Sequence, residues 1–187
     1  MCSSDLAALE LAKPYLQHIE AIGLDSAEVG HPPRKFVRVF QAAADLGLKR
    51  IAHAGEEGGP DYILEALDLL EVSRIDHGVQ AARDDQLLTR LAESRVPLTV
   101  CPLSNVKLKV FNELVEHPLF DLLSRGLCVT VNSDDPAYFG GYLDENYSQL
   151  IQCFRPSEAQ IKQLLRNSFE ASFLSNDEKS HWISQLT

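Results

Sequence analysis

The chain has 187 residues, 45% of them apolar and 24% charged, which is ordinary for a globular protein and long enough for one domain with a sizeable core. Its formal net charge of -10 argues against a nucleic-acid partner, because phosphate sites need clustered Lys and Arg, which the sequence lacks. The sequence shows neither an apolar stretch that could span a bilayer nor a signal peptide, so we expect a cytoplasmic location and no membrane partner.

The first six residues differ in composition from the rest of the chain. Part of this segment, Ser3-Ser4-Asp5-Leu6, can be encoded by a common sequencing-adapter sequence. We therefore predict that residues 1–6 are a foreign or artefactual N-terminus. Residues 7–187 are predicted to form part of a single domain.

Strands alternate with helices along most of the chain, and only helices follow the last strand. The predicted strands are Ile19–Leu24, Leu48–Ala52, Arg74–Asp76, Val96–Cys101 and Leu127–Val131. The predicted helical segments are Ala7–Gln17, Arg34–Leu46, Asp61–Leu70, Asp84–Ser94, Val115–Ser124, Asp144–Phe154 and Ser157–Trp182. This alternation indicates right-handed βαβ units and a parallel sheet of the α/β class. The strands are apolar without clean alternation, which favours a sheet covered on both faces.

Every predicted strand ends in polar side chains, which is unusual at the close of a buried segment. These residues are Asp25 and Glu28, His53 and Glu56, His77, Ser104 and Asn105, and Asp134 and Asp135. A parallel (β/α)8 barrel of the TIM type would bring all five strand ends to one mouth. An open doubly wound sheet would gather only those at its switch point, and the sequence has no GxGxxG loop, so the barrel is favoured.

Two adjacent carboxylates, Asp134 and Asp135, follow the last predicted strand in the motif Ser133-Asp134-Asp135-Pro136. Neighbouring acids repel each other unless a cation or a donor holds at least one of them ionised. The same four residues also suit the start of a helix. The motif alone does not decide between a reactive strand end and a helix cap.

A nitrogen ligand at His53 and an oxygen ligand at Asp134 suit Zn²⁺ in a hydrolase site. Glu56 lies three residues after His53, beyond a glycine, which places it near the same centre in a position suited to a general acid. A single histidine at a strand end is more often an ordinary hydrogen-bonded residue. His53 and His77 at successive strand ends, in a chain that also carries the Asp-Asp pair, are much harder to explain by packing.

Four motifs resemble those of the zinc-dependent adenosine/adenine deaminase family, in the same order and at the expected separations. They are His53-Ala54-Gly55-Glu56, Arg74-Ile75-Asp76-His77-Gly78, Cys101-Pro102-Leu103-Ser104-Asn105 and Ser133-Asp134-Asp135-Pro136. The likeness runs from about Ile19 to the C-terminus. It implies a (β/α)8 barrel that holds one Zn²⁺ and deaminates a small-molecule purine by hydrolysis, as in purine salvage.

The resemblance also implies a role for each matching residue. His53 and Asp134 would be zinc ligands, and Asp134 would also hydrogen-bond the reacting water. Glu56 would be a protonated carboxyl that donates to ring N1, and His77 would orient and help deprotonate the water. Asp135 would share a proton at N7 of the purine.

The segment from Gly23 to Pro33 resembles the branch of the family that converts adenine to hypoxanthine and ammonia. We expect Glu28 to contact the imidazole edge of the free base, because adenine has an N9 proton to donate there and a nucleoside has none. Adenosine and N6-substituted adenine remain alternative substrates.

The chain departs from the family at its N-terminal side. The family barrel begins with a His-x-His pair that supplies two further zinc ligands, and the sequence has none. His117 and His181 are expected to be solvated. The chain is therefore predicted to be the last five strands and C-terminal helices of an incomplete barrel, and the isolated fragment to be inactive. The alternative from another class is a non-catalytic half-barrel that associates with another chain; nothing in the sequence indicates an oligomer.

Overall fold

The computed structural model describes residues 3–186, so Met1 and Cys2 of the predicted foreign segment lie outside the described residues. Ser3–Leu6 belong to the first helix. The chain divides into two compact units, Met1–Arg83 and Asp84–Thr187. A membrane-crossing helix is absent from residues 3–186, since none of their helices combines the length and apolar character that a span needs.

In the described part of the first unit, residues 3–83, three strands and three α-helices alternate. These are α1 (Ser3–Ala12), β1 (Ala21–Leu24), α2 (Val37–Asp45), β2 (Lys49–Ala54), α3 (Pro60–Leu69) and β3 (Arg74–His77). Short 3₁₀ helices cover Lys13–His18, Pro33–Phe36 and Val79–Arg83. β1 pairs with β2 and β2 with β3, both in parallel, as the sequence predicts.

One hydrophobic cluster of the first unit lies where helices α1 and α2 meet. Leu9, Ala43 and Leu48 are buried together, and half-buried apolar residues surround them. α2 is followed at Gly47 by a left-handed backbone with φ of 78°, which glycine adopts without steric cost and which ends the helix where the sequence predicts.

The second strand is longer than predicted. Residues up to Ala54 stay in register with β3, so that His53 lies opposite Asp76 and Ala54 opposite His77. His53 is therefore held inside β2 rather than in the loop that follows it. A strand residue is fixed by backbone hydrogen bonds on a rigid element, which suits a functional side chain.

Residues 84–186 of the second unit form two strands and seven α-helices. These are α4 (Asp85–Ser94), β4 (Leu98–Val100), α5 (Pro102–Lys107), α6 (Leu119–Ser124), β5 (Val129–Val131), α7 (Pro136–Phe139), α8 (Leu143–Phe154), α9 (Glu158–Ala171) and α10 (Asn176–Ser184). β4 and β5 pair in parallel, with Leu98 opposite Val129. α9 is tied to β5 because the Asn167 side-chain amide donates to the carbonyl oxygen of Val129 at 2.8 Å.

The helix ends in the second unit follow local sequence chemistry. The Asp84 side chain caps α4 by accepting from the backbone N–H groups of Gln86 and Leu87. Ser157 and Ser175 form capping boxes at the starts of α9 and α10. These caps explain why Ser157–Trp182 contains two helices rather than one.

His117 is buried, so the expectation that it is solvated is wrong. Its exposed fraction is 3%, its Nδ1 accepts from the backbone N–H of Leu119, and its Nε2 therefore donates to Asn105 Oδ1 at 3.1 Å. His181 is exposed, as expected. The two neutral hydrogen bonds satisfy both nitrogens of the His117 ring, and this makes its burial in a packed interior acceptable.

The buried ring of His117 predicts acid sensitivity of the fold. Burial lowers the pKa of His117 to about 3, whereas an unfolded histidine titrates near about 6.5. Below about pH 6.5 the unfolded chain therefore binds a proton that the folded chain excludes, and stability falls by up to about 1.4 kcal/mol per pH unit until about pH 3. Between pH 7.5 and 5.5, the free energy of unfolding measured in urea should fall by about 1 kcal/mol less in His117→Gln than in the parent. Equal losses in the two proteins would contradict this assignment.

Candidate active site

A tight turn after β2 carries the first part of the candidate site. Gly55 has a φ of 76°, and the next residue, Glu56, is buried with an exposed fraction of 3%. A Cβ atom at Gly55 would lie within 2.5 Å of Cγ1 of Ile63, a fully buried side chain of α3. Both the backbone conformation and the packing of α3 therefore require glycine between His53 and Glu56.

Replacing Gly55 with Ala should destabilise the first unit by about 3 kcal/mol, because left-handed strain and overpacking against Ile63 add together. Gly47 is a matched control: its φ is 78°, but a Cβ there would meet nothing within 4 Å. Gly47→Ala should cost only about 1 kcal/mol. Urea denaturation of both variants measures the difference, and equal losses would show that the contact with Ile63 is unimportant.

His53, Glu56 and His77 converge on one point in the first unit. Glu56 Oε2 lies 3.3 Å from His53 Nε2, and Glu56 Oε1 lies 3.2 Å from His77 Nδ1. The two imidazole rings are 4.4 Å apart between centroids. One potential ligand atom from each of the three residues lies within 4.8 Å of the other two, an arrangement that can hold a metal ion. The structure thus brings together three of the residues predicted from the strand ends.

His77 occupies a strained backbone position at the end of β3. Its φ is 64°, in the left-handed region that residues other than glycine rarely adopt, and Gly78 follows with a φ of 69°. The ring is almost completely buried. Such strain persists only where the surrounding structure fixes it, and it occurs often at functional sites.

The acidic surroundings of His53 favour its protonated form when no metal is bound. Burial of the ring, the largest single effect, lowers its pKa. The hydrogen bond with Glu56 and the negative charges of Glu56, Glu28 and Asp25 together outweigh burial, so the pKa of His53 is raised. A divalent cation would interact with the same negative charges.

The Glu28 side chain reaches the same turn from the loop after β1. Its carboxylate is 2% exposed and accepts hydrogen bonds from the backbone N–H groups of four consecutive residues, 55 to 58. Glu28 Oε2 also lies 3.7 Å from His53 Nε2. The sequence predicts a substrate contact for Glu28 but gives no sign of these backbone partners.

A cavity of about 260 Å³ borders this cluster. The loop after β1 forms much of its wall, and the 3₁₀ helix Pro33–Phe36, His53 of β2 and Tyr62 of α3 also contribute; the loop residues include Asp25, Ser26, Glu28 and His31. A concave site with a few convergent polar groups is the usual form of a small-molecule site. Asp25 Oδ1 also lies 3.7 Å from His53 Nδ1, a contact that the sequence analysis did not assign.

The Asp-Asp motif lies in the second unit, between β5 and helix α7. Helix α7 begins at Pro136, directly after the pair, but Asp135 makes no side-chain cap hydrogen bond. Asp134 has a φ of 58°, and its Oδ2 accepts from Ser104 Oγ at 2.6 Å. Both acids are exposed. The sequence predicts Ser104 at a strand end but does not predict its hydrogen bond with Asp134.

The adenosine deaminase family model matches the chain over residues 1–187. An adenine deaminase from Hahella chejuensis is 56% identical over 181 residues, which are 97% of this chain and 54% of that protein. One from Paraburkholderia phytofirmans is 58% identical over 179 residues, or 96% of this chain and 51% of that protein. The chain spans about half the length of the curated relatives it matches.

Two solved structures show the same fold. The crystal structure of an adenine deaminase from Arthrobacter aurescens has a TM-score of 0.93 at 50% identity, covering 98% of this chain and 57% of that chain. An amidohydrolase from Burkholderia ambifaria with bound Zn has a TM-score of 0.90 at 28% identity, covering 97% of this chain and 51% of that chain.

These likenesses confirm the predicted fold class, α/β with the (β/α)8 topology of which this chain represents an incomplete part. The chain belongs to the adenosine deaminase family.

Proposed function

We propose that the complete protein containing this chain hydrolyses adenine to hypoxanthine and ammonia. Residues 7–187 would be the C-terminal part of its single barrel domain. The observation that carries the proposal is the convergence of His53, Glu56 and His77 beside a cavity. The similarity to adenine deaminases supports the choice of substrate.

The donor set in the first unit fits a zinc ion. The His53 ring nitrogen is a ligand that Zn²⁺ accepts, and the acidic surroundings favour a cation. Glu56 and His77 lie beside this position and are kept for proton transfer. We propose His53 as a ligand in this unit; Asp134 and two further histidines outside the chain remain ligands predicted from the family resemblance. A bound zinc ion supplies Lewis acidity, which makes water nucleophilic near neutral pH.

The reaction adds one water to adenine and releases one ammonia. In our proposal Glu56, as a protonated carboxyl, donates its proton to ring N1 while water attacks C6. His77 orients that water and accepts a proton from it. The 3.2 Å contact between His77 and Glu56 then lets His77 return this proton to the Glu56 carboxylate. As the C6–N6 bond breaks, the amino group takes the proton of the new C6 hydroxyl and leaves as ammonia, and the C6 oxygen becomes the carbonyl of hypoxanthine. On the basis of the family resemblance, we propose that Asp135 binds N7 of the purine.

The test of this function is product analysis with the complete protein. Adenine should give hypoxanthine and ammonia in equal amounts, with a kcat/KM well above the value for inosine formation from adenosine. Adenosine and N6-substituted adenines are the alternative substrates and belong in the same assay. Faster turnover of either alternative would contradict the assignment to free adenine.

We propose that the 187-residue chain alone is inactive, binds zinc weakly and aggregates readily. β1 and β5 each pair with a strand on one side only among residues 3–186, and unpaired strand edges promote association. The same edges favour the second candidate function, a non-catalytic half-barrel that joins another chain. The genomic sequence upstream decides: an in-frame His-x-His supports the enzyme, whereas a start codon with its ribosome site before Met1 supports the half-barrel.

A further inference from the structure

We infer that Glu28 is a positioning residue that holds the turn carrying Glu56, rather than a residue that binds the substrate. The inference rests on the role proposed above for Glu56 and identifies what fixes that side chain. Glu28 is 27 residues away from Gly55 in sequence, yet its carboxylate accepts a hydrogen bond from the Gly55 N–H in the turn after β2.

The carboxylate of Glu28 gathers the N–H groups of the turn. Oε1 accepts from Gly55, and Oε2 accepts from Glu56 at 3.1 Å, Glu57 at 2.9 Å and Gly58 at 3.1 Å. Four consecutive backbone N–H groups therefore point at one buried anion. Hydrogen bonds to an ionised acceptor are about twice as strong as neutral ones, so this contact fixes the turn firmly.

The carbonyl groups of the same turn are held by residues that follow β3. The Gln80 side-chain amide donates to the carbonyl oxygen of Glu56 at 2.9 Å, and the Gln80 backbone N–H donates to that of Gly55 at 2.9 Å. Gly78 N–H donates to the carbonyl oxygen of Ala54 at 3.1 Å. The backbone of Glu56 is thus fixed through both its N–H and its carbonyl group, with Glu28 supplying one of the two restraints.

Gly58 has a packing reason that agrees with this role. A Cβ atom there would lie 2.7 Å from Glu28 Oε1 and 2.9 Å from Tyr62 Cγ. Any side chain at position 58 would therefore displace the Glu28 carboxylate from its hydrogen bonds with the turn. The glycine makes room for the Glu28 carboxylate rather than for a ligand.

The hydrogen-bond capacity of Glu28 argues against a contact with the purine. An ionised carboxylate has about four lone-pair sites, two on each oxygen; three N–H groups of the turn share Oε2, and one binds Oε1. Oε2 therefore has no room for a further donor, and a base N–H would have to compete with the backbone for a carboxylate that is only 2% exposed. Glu28 then lines the cavity because its carboxylate binds the neighbouring turn, not because it binds a ligand.

The test compares Glu28→Gln with the parent in the complete protein. Gln keeps the size of Glu but replaces one acceptor oxygen by an NH2 group that faces N–H donors. Amides 55–58 should exchange with solvent about tenfold faster or more, and kcat for adenine should fall by roughly 100-fold with KM changed less than about threefold. Glu28→Asp keeps the charge and should recover part of both losses. Glu20→Gln, which removes an exposed carboxylate paired with Lys49, is the control and should match the parent.

Two results would overturn the inference. One is unchanged exchange at amides 55–58 in Glu28→Gln. The other is a rise in KM for adenine with unchanged kcat and an altered preference for base over nucleoside. That result would show that Glu28 contacts the substrate. The exchange measurement needs no activity, so it still decides the role of Glu28 if the complete protein does not deaminate adenine.

Discussion

Replacing Glu56 with Gln is expected to lower kcat for adenine deamination by about 10²- to 10⁴-fold, the usual contribution of a general acid. The amide keeps the size of the side chain and can still hydrogen-bond His53 and His77, which lie 3.3 and 3.2 Å from its oxygens in the parent. It has no carboxyl proton to give to N1. Steady-state hypoxanthine formation by the complete protein measures the effect, and KM should change little because the cavity keeps its shape.

Glu57 supplies the matched control for this experiment. It is the next residue in the chain and also a glutamate, but its side chain is exposed. Glu57→Gln should leave kcat within about twofold of the parent, since surface substitutions away from special contacts are usually neutral. If Glu56→Gln retained a similar rate, the proton would have to come from another group, and the role proposed for Glu56 would be wrong.

The second large effect is expected at the metal. His53→Ala removes an imidazole that is proposed as a zinc ligand and leaves Glu56 and His77 facing the gap. Zinc affinity should fall by more than the roughly 10- to 100-fold that the loss of an outer-shell partner costs. Zinc content after dialysis, measured by plasma mass spectrometry on the complete protein, should drop accordingly, together with activity.

His18 is the control histidine for the metal experiment. It lies in the same unit and is exposed, and its ring contacts Gln17. His18→Ala should therefore retain the zinc content of the parent. Full zinc content in His53→Ala would exclude His53 as a ligand and move the metal site elsewhere.

Much of the fold could be predicted from the sequence because strand and helix periodicities are local. The five strands and their parallel pairing within each unit follow from apolar runs that alternate with amphipathic segments. The bounds differ where tertiary contacts decide: β2 extends to Ala54 because β3 lies beside it. Helix α5 was not predicted because six residues carry too little periodicity, although Pro102 suits its first turn.

The candidate site was partly predictable for the same topological reason. Side chains at the ends of neighbouring parallel strands must lie close together, and this is how His53, Glu56 and His77 could be grouped before their distances were measured. Glu28 could be placed nearby, but not its partners, because backbone N–H groups carry no signature in the sequence. The burial of His117 could not be predicted, because a polar residue between short helical segments gives no sign of the hydrogen bonds that make its burial acceptable.

Anomalous diffraction at the zinc edge from crystals of the complete protein tests the central claim most directly. The cluster of His53, Glu56 and His77 predicts one strong peak within bonding distance of the His53 ring, beside the cavity after β1. Stoichiometric zinc with its peak away from His53 would contradict the account.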